Sequence, residues 1–276
     1  MKLLALDIDD TLVGTGKLPS ERLKRAVRLV ENNGVTVVLA TGRGFLGSKQ
    51  IRDALSVYGP LIHYGGAVVS DGRTGEHLFV NYLRPQDVVT AFAIADTFGI
   101  HAQIYEEDTV IFRKANAFTA QYTGILNIPF IEDPNLLYRP LDNIPKVLYA
   151  VDPKQEAELY KEIRALLPKH ISVLTSKPGF IEIGSVSSTK GSALQKVAAM
   201  LGIPREEVTA IGDNTLDLDM IEWAGTGICV ANGNDLVKQK ADLVIGASGN
   251  GPVQAETCTW HYHCTDRKST RLNSSH

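Results

Sequence analysis

A chain of 276 residues, 44% hydrophobic and 21% charged, is long enough for two domains, each with its own core. Its formal net charge of −3 points to neither nucleic acid nor a membrane surface as the main partner. The apolar start meets Asp7 too early for a signal-peptide core, no apolar run reaches the ~18 residues of a membrane span, and three cysteines make no disulfide framework, so the expected compartment is the cytoplasm.

Leu3-Leu4-Ala5-Leu6 reads as a strand that runs straight into Asp7-Ile8-Asp9-Asp10-Thr11. Strand side chains alternate, so Asp7 and Asp9 leave on one side and Ile8 on the other. Two carboxylates that close require a cation, and oxygen ligands with few neighbouring His or Cys favour magnesium over zinc. On its own the stretch reads equally well as a strand followed by an Asx-turn.

A helix starting at Ser20-Glu21 carries the stripe Leu23, Ala26, Val27 and Val30 and stops at Gly34. Val35 to Ala40 then reads as a second buried strand. Strand, helix and strand with continuous apolar strands mark a parallel sheet covered on both faces, whose ligands bind beyond the strands' carboxyl ends. Thr41 sits at such an end and converges with Asp7.

Leu46 to Leu55 reads as a helix and Leu61 to Tyr64 as a third strand, left through Gly65-Gly66. Ala67–Val69 and His77–Val80 flank the turn residues Asp71-Gly72 and Gly75 and form a hairpin. His63 and His77 have no partners at metal spacing and read as structural.

About 150 residues separate Thr41 from Lys190, more than a sheet crossover needs, so a domain is inserted there. It holds a helix from Pro85 with the stripe Val88, Phe92, Ala95 and Phe98, and a second after Asp152-Pro153 that ends at Pro168. Strands over 102–105, 110–112, 147–151, 171–174 and 180–183 complete an α+β unit. Ser187 to Gly191 opens a further helix with Ala193, Leu194, Val197 and Leu201. Lys190 at its start opposes the helix dipole unless an anion sits in front and is shared with the backbone N–H groups. Val208–Ile211 is another buried strand, again followed by acids in Gly212-Asp213-Asn214-Thr215-Leu216-Asp217, and Cys229 reads as core.

The D-x-D-x-T at Asp7, Asp9 and Thr11, then Thr41-Gly42-Arg43, then Lys190-Gly191, then Gly212-Asp213 with Asp217, resemble in type and order the four motifs of the haloacid dehalogenase superfamily. Within it the chain resembles the Cof-type, cap class IIB, sugar-phosphatase-like branch over roughly residues 1 to 250. The resemblance implies an α/β fold: a Rossmann-like core with a parallel sheet, built from 1–83 and 184–255, and an inserted α+β cap of the C2B type over 84–183. It implies a magnesium-dependent phosphatase acting on a small phosphorylated metabolite, with no nucleic acid or membrane partner, as a monomer or weak homo-oligomer. By the same resemblance Asp7 is the nucleophile and Asp9 the general acid and base, protonated when substrate arrives. Asp7, the main-chain carbonyl of Asp9, and Asp213 bind Mg2+. Thr41, the Gly42 amide and Lys190 hold the phosphoryl oxygens, and Thr11, Asn214 and Asp217 stand behind the metal ligands. One position departs from the pattern: the branch usually has Asn where this chain has Leu216.

A phosphotransferase or sugar phosphomutase is the nearer alternative. A phospho-accepting regulatory domain would place adjacent acids after its first strand and its phospho-acceptor after a later one, without a large cap. At the other end, residues 266–276 resemble, residue for residue, the translation of a sequencing adapter, which leaves 256–276 outside the fold reading. Gly251–Ala255 reads as the start of a last helix, and Cys258, His261, His263 and Cys264 are set aside as a zinc site for the same reason.

Overall fold

The structure, a computed structural model, describes residues 1–14, 16–119 and 129–246. The helix expected from Gly251 and the residues beyond it lie outside that range. The first sheet comprises β1 (Leu3–Asp7), β2 (Thr36–Ala40), β3 (Leu61–His63), β4 (Val68–Ser70), β5 (His77–Val80), β12 (Val208–Gly212), β13 (Thr226–Val230) and β14 (Leu243–Ile245). Their spatial order is β14-β13-β12-β1-β2-β3-β4-β5. From β14 to β3 the pairings are parallel, and β4 and β5 add an antiparallel edge.

The winding reverses at β1, because the chain leaves it toward β2 and β3 on one side and later returns as β12 to β14 on the other. Such a reversal opens a crevice at the strands' carboxyl ends, and Asp7 is the last residue of β1.

Period-two alternation along β1 decides which layer each side chain enters. Leu4, Leu6 and Ile8 pack with Leu23, Val27, Ile51 and Leu55, which lie on α1 (Glu21–Asn32) and α2 (Lys49–Leu55). Leu3 and Ala5 go to the opposite face, with Ala193, Leu194 and Val197 of α5 (Lys190–Met200), Met220 and Ile221 of α6 (Leu218–Trp223), and Val237 of α7 (Asp235–Lys240). Asp7 has the parity of Leu3 and Ala5, so it emerges on the side of α5, whose first residue is Lys190. Truncating Leu4 or Leu6 to Ala would cost about 2–5 kcal/mol through lost burial and the cavity left behind.

α1 forms where its stripe predicts, with the Ser20 hydroxyl accepting from the Leu23 N–H at 3.2 Å. The segment 46–55 is not one helix. Leu46–Ser48 is a 3-10 turn in which the Ser48 hydroxyl donates to the Phe45 carbonyl, and the α-helix starts only at Lys49.

The inserted domain has α3 (Pro85–Phe98) and α4 (Glu156–Leu166) on one face of a second sheet made of β6 (His101–Glu106), β7 (Thr109–Phe112), β8 (Phe130–Glu132), β9 (Val147–Ala150), β10 (Ile171–Thr175) and β11 (Phe180–Ser185). The order is β10-β11-β9-β6-β7-β8, antiparallel except between β7 and β8. Ala102, Ile104, Val147, Tyr149, Ile181 and Ile183 face the two helices. The alternate positions point away from them, and Tyr105 and Leu148 pack with Tyr64, Ala67 and Val68 of the first domain. The crossings between domains are tied together, since the Asn81 amide donates to the Ser187 hydroxyl and the Ser188 hydroxyl to the Asn81 carbonyl, each at 2.8 Å.

Strands β8 and β14 and helices α6 and α7 were not expected from the sequence. All are three to six residues long, too short for their periodicity to stand out from the flanking chain.

Candidate active site

At the carboxyl end of β1 the Lys190 ammonium donates to Asp7 Oδ1 at 2.6 Å and to Asp217 Oδ1 at 2.5 Å. All three side chains are buried. Asp217 Oδ2 accepts from the backbone N–H groups of Asp213 and Asn214 at 3.1 and 3.0 Å, which folds the loop after β12 around the carboxylate. Thr11 donates its hydroxyl to Asp213 Oδ1 at 2.8 Å. The four expected acidic and basic residues Asp7, Lys190, Asp213 and Asp217 therefore meet, although they lie up to 210 residues apart in the chain.

Carboxylate oxygens of Asp7, Asp213 and Asp217 lie within 4.8 Å of one another. Each such pair repels by roughly 3 kcal/mol at an effective dielectric of about 20. One lysine answers three carboxylates, which leaves the cluster two negative charges in excess. The strain shows in their acidity. Burial, then the charge of Asp217, pushes Asp7 well above the ordinary carboxylate range, against the pull of Lys190. Burial and Asp217 together push Asp213 up to about 6. Burial works to discharge Lys190, but Asp217 and Asp7 outweigh it and hold the proton on the amine. The donor set is hard oxygen, and its excess charge equals that of one divalent cation, so the residues fit magnesium.

Asp9 is placed differently. Its carboxylate accepts two bonds from Arg43, Nε to Oδ2 at 2.9 Å and Nη2 to Oδ1 at 2.8 Å. Burial raises its pKa, but Arg43, then Lys177 and Lys190, outweigh burial and hold Asp9 below the ordinary range. In this arrangement Asp9 is an ionised partner of Arg43, not the protonated acid that the resemblance implies. Both of its carboxylate oxygens are engaged by Arg43, and the group of acids whose oxygens converge does not include it.

Thr41 is fully buried, with its hydroxyl accepting the Arg43 N–H at 3.1 Å. A Cβ built on Gly42 would meet nothing within 4 Å, so the space over its backbone is open. Lys190 opens α5, with Thr189 and Ser192 forming a reciprocal cap. Asn214 caps the short turn at Thr215–Asp217 and reaches the Ser176 carbonyl of the inserted domain at 3.4 Å. Leu216 lies half-buried in that turn.

Four further residues line the space and were not singled out from the sequence. Arg43 follows Thr41-Gly42 directly, and its place in that motif was the available signal. Lys146 donates to the Gly42 carbonyl at 3.2 Å and to Glu182 at 2.9 Å, so this pair from the inserted domain rests on the phosphate-binding candidate loop. Lys177 Nζ lies 3.8 Å from Asp9 Oδ1. Glu182 alternates with core residues of β11 and Lys146 immediately precedes β9, a signal that becomes readable only once the face turned toward the first domain is known.

The inserted domain also touches the first at a second point. The tip of the β6–β7 hairpin places Asp108 so that its carboxylate accepts from the Leu46 N–H at 2.9 Å and the Tyr64 hydroxyl at 3.0 Å. A Cβ on Gly44 would stand 1.9 Å from Asp108 Oδ1, so only glycine permits this approach.

The profile of the haloacid dehalogenase-like hydrolase family matches residues 4–255. A phosphoglycolate phosphatase of Methanosarcina mazei is 32% identical over 258 residues, which cover 92% of this chain and 94% of that protein. The 5-amino-6-(5-phospho-D-ribitylamino)uracil phosphatase YwtE of Bacillus subtilis is 30% identical over 284 residues, covering 92% and 96%. The crystal structure of a haloacid dehalogenase-like hydrolase from Bacteroides thetaiotaomicron superposes with a TM-score of 0.82 at 25% identity, covering 94% of this chain and 98% of that one. Among the described residues no helix is long and apolar enough to cross a membrane.

Proposed function

Because the chain belongs to the haloacid dehalogenase-like hydrolase family and is one of its phosphatases, we propose that it hydrolyses small phosphomonoesters by passing the phosphoryl group through Asp7. Its α+β cap, inserted after β5 of the core sheet, is like that of the Cof-type, cap class IIB branch. The observation that carries the mechanism is Asp7 at the sheet's switch point, held by Lys190 beside Asp213 and Asp217.

In the first step an Asp7 carboxylate oxygen attacks phosphorus, the ester P–O bond breaks, and the leaving oxygen takes a proton from Asp9. In the second, water gives a proton to Asp9 and attacks the same phosphorus. The bond to Asp7 breaks, releasing inorganic phosphate and restoring the carboxylate. The Lys190 ammonium, the Thr41 hydroxyl and the Gly42 amide hold the phosphoryl oxygens, where a loose transition state spreads its charge. For Asp9 to arrive protonated it must first lose Arg43, and incoming phosphoryl oxygens are the natural competitors for that guanidinium.

Asp7, Asp213 and the carbonyl of Asp9 would hold magnesium, with Asp217 at the edge of the set. Bound there, the ion neutralises the excess carboxylate charge and stabilises charge on the phosphoryl oxygens. Thr11 fixes Asp213 as an acceptor facing the cluster.

The two relatives named above act on different compounds, so the substrate of this chain is a separate question. A phosphate-release screen over hexose phosphates, pentose phosphates, phosphorylated hydroxy acids and FMN, with and without magnesium, tests the reading. Stoichiometric phosphate release is expected. Phosphoryl transfer to a sugar acceptor without phosphate release would replace it with a mutase.

A further inference from the structure

One face of the β11 hairpin meets the leaving-group side of this site. Lys177-Pro178-Gly179-Phe180 closes the β10–β11 hairpin, with the Phe180 N–H donating to the Lys177 carbonyl at 2.9 Å. Proline at the second position and Gly179 at φ +83° in the third are the requirements of a type II turn. The Gly179 N–H donates to Glu156 at the start of α4, and the Ser176 carbonyl accepts from Asn214 of the core. The base of Lys177 is therefore rigidly placed over Asp9, while its head is half exposed and 3.8 Å from the carboxylate.

The charges on this wall do not balance. Lys146 is answered by Glu182 and Arg43 by both oxygens of Asp9, so Lys177 meets a carboxylate already engaged. Three cations face two anions, and the excess grows when Asp9 carries the proton it gives to the leaving oxygen. Asp9 must touch the ester oxygen, so an ammonium beside Asp9 reaches groups on the first carbons beyond that oxygen. A substrate with a second anion there would supply the missing charge.

Resting on the phosphatase reading, we propose that Lys177 is a specificity-determining residue that selects phosphomonoesters whose leaving group carries a second anionic group close to the ester oxygen. Three two-carbon esters that differ only in the far group test this: 2-phosphoglycolate, ethyl phosphate and phosphoethanolamine, with p-nitrophenyl phosphate as a common reporter. We expect wild-type kcat/KM to favour phosphoglycolate over ethyl phosphate by about fivefold or more, and Lys177→Met to reduce that ratio by at least about threefold. Lys177→Glu should favour phosphoethanolamine over phosphoglycolate. Hydrolysis of ethyl phosphate and the reporter with ratios that stay the same in both variants overturns the role of Lys177 and leaves the phosphatase reading intact. No turnover of any ester by the wild type with magnesium overturns both.

Discussion

Arg43 grips both carboxylate oxygens of Asp9, at 2.9 and 2.8 Å, from a position two residues after the buried Thr41. A planar fork that fits a carboxylate also fits two phosphoryl oxygens, so one residue can trade Asp9 for substrate. Arg43→Lys keeps the charge and loses the fork. We expect kcat/KM on p-nitrophenyl phosphate to fall by about tenfold in Arg43→Lys and further in Arg43→Ala. Full activity in Arg43→Lys would show that a point charge suffices.

Asp7→Asn should lower turnover by more than about a hundredfold, because an amide oxygen is no nucleophile here. The same change removes one of three crowded carboxylates, so the metal-free protein should melt at the same temperature or higher. Magnesium should raise the melting temperature of the wild type and do so less in Asp213→Asn. Activity retained after exhaustive chelation would argue against the metal assignment.

Gly44→Ala places a methyl group where Asp108 reaches the core. If the cap works as a lid that closes through this contact, both Gly44→Ala and Asp108→Ala should loosen the closed form and lower kcat/KM by roughly threefold to tenfold. The Leu46 amide, which Asp108 caps, should exchange hydrogen faster in both. Unchanged exchange at Leu46 would mean that the contact does not govern closure.

His63 is buried, with Nε2 2.8 Å from the Ser70 hydroxyl and Nδ1 unpartnered. Burial, then the charges of His77 and Arg52, pushes its pKa down to about 3, against about 6.5 for a free histidine. The unfolded chain therefore binds the extra proton first. The contribution of His63 to stability is complete above about pH 6.5 and is lost as pH falls toward about 3, with a slope approaching 1.4 kcal/mol per pH unit. The protons that Asp7 and Asp213 gain as pH falls stabilise the fold in both proteins alike, so between about pH 7.5 and 5 the urea midpoint of the wild type should lose ground relative to that of His63→Gln. Parallel slopes would place the lost proton linkage elsewhere.

Much of the core was readable because its strands are continuous runs that end in chemistry. Leu3–Leu6 into Asp7 and Val208–Ile211 into Asp213 announce both a buried sheet and the end at which it works. Lys190 was readable as a cation in the wrong place for a helix start, and its partners Asp7 and Asp217 supply the reason. The ionised state of Asp9 was not readable, since it depends on the rotamer of an arginine 34 residues away. Lys177 carries no motif of its own. Pro178-Gly179 marks a turn, but only the packing of the two domains says what the turn overlooks.

The alternation along the cap strands has a consequence for how such a protein can change over generations. On β11, Ile181 and Ile183 hold the cap together while Glu182 between them faces the chemistry, and Lys146 stands next to the buried Val147 in the same way. Positions that hold the cap together and positions that face the other domain are interleaved but physically separate. Residues on that outward face which make no domain contact, unlike Tyr105 and Leu148, can therefore change, and with them the lining of the site, while Asp7 on the other domain and the interior of the cap remain as they were.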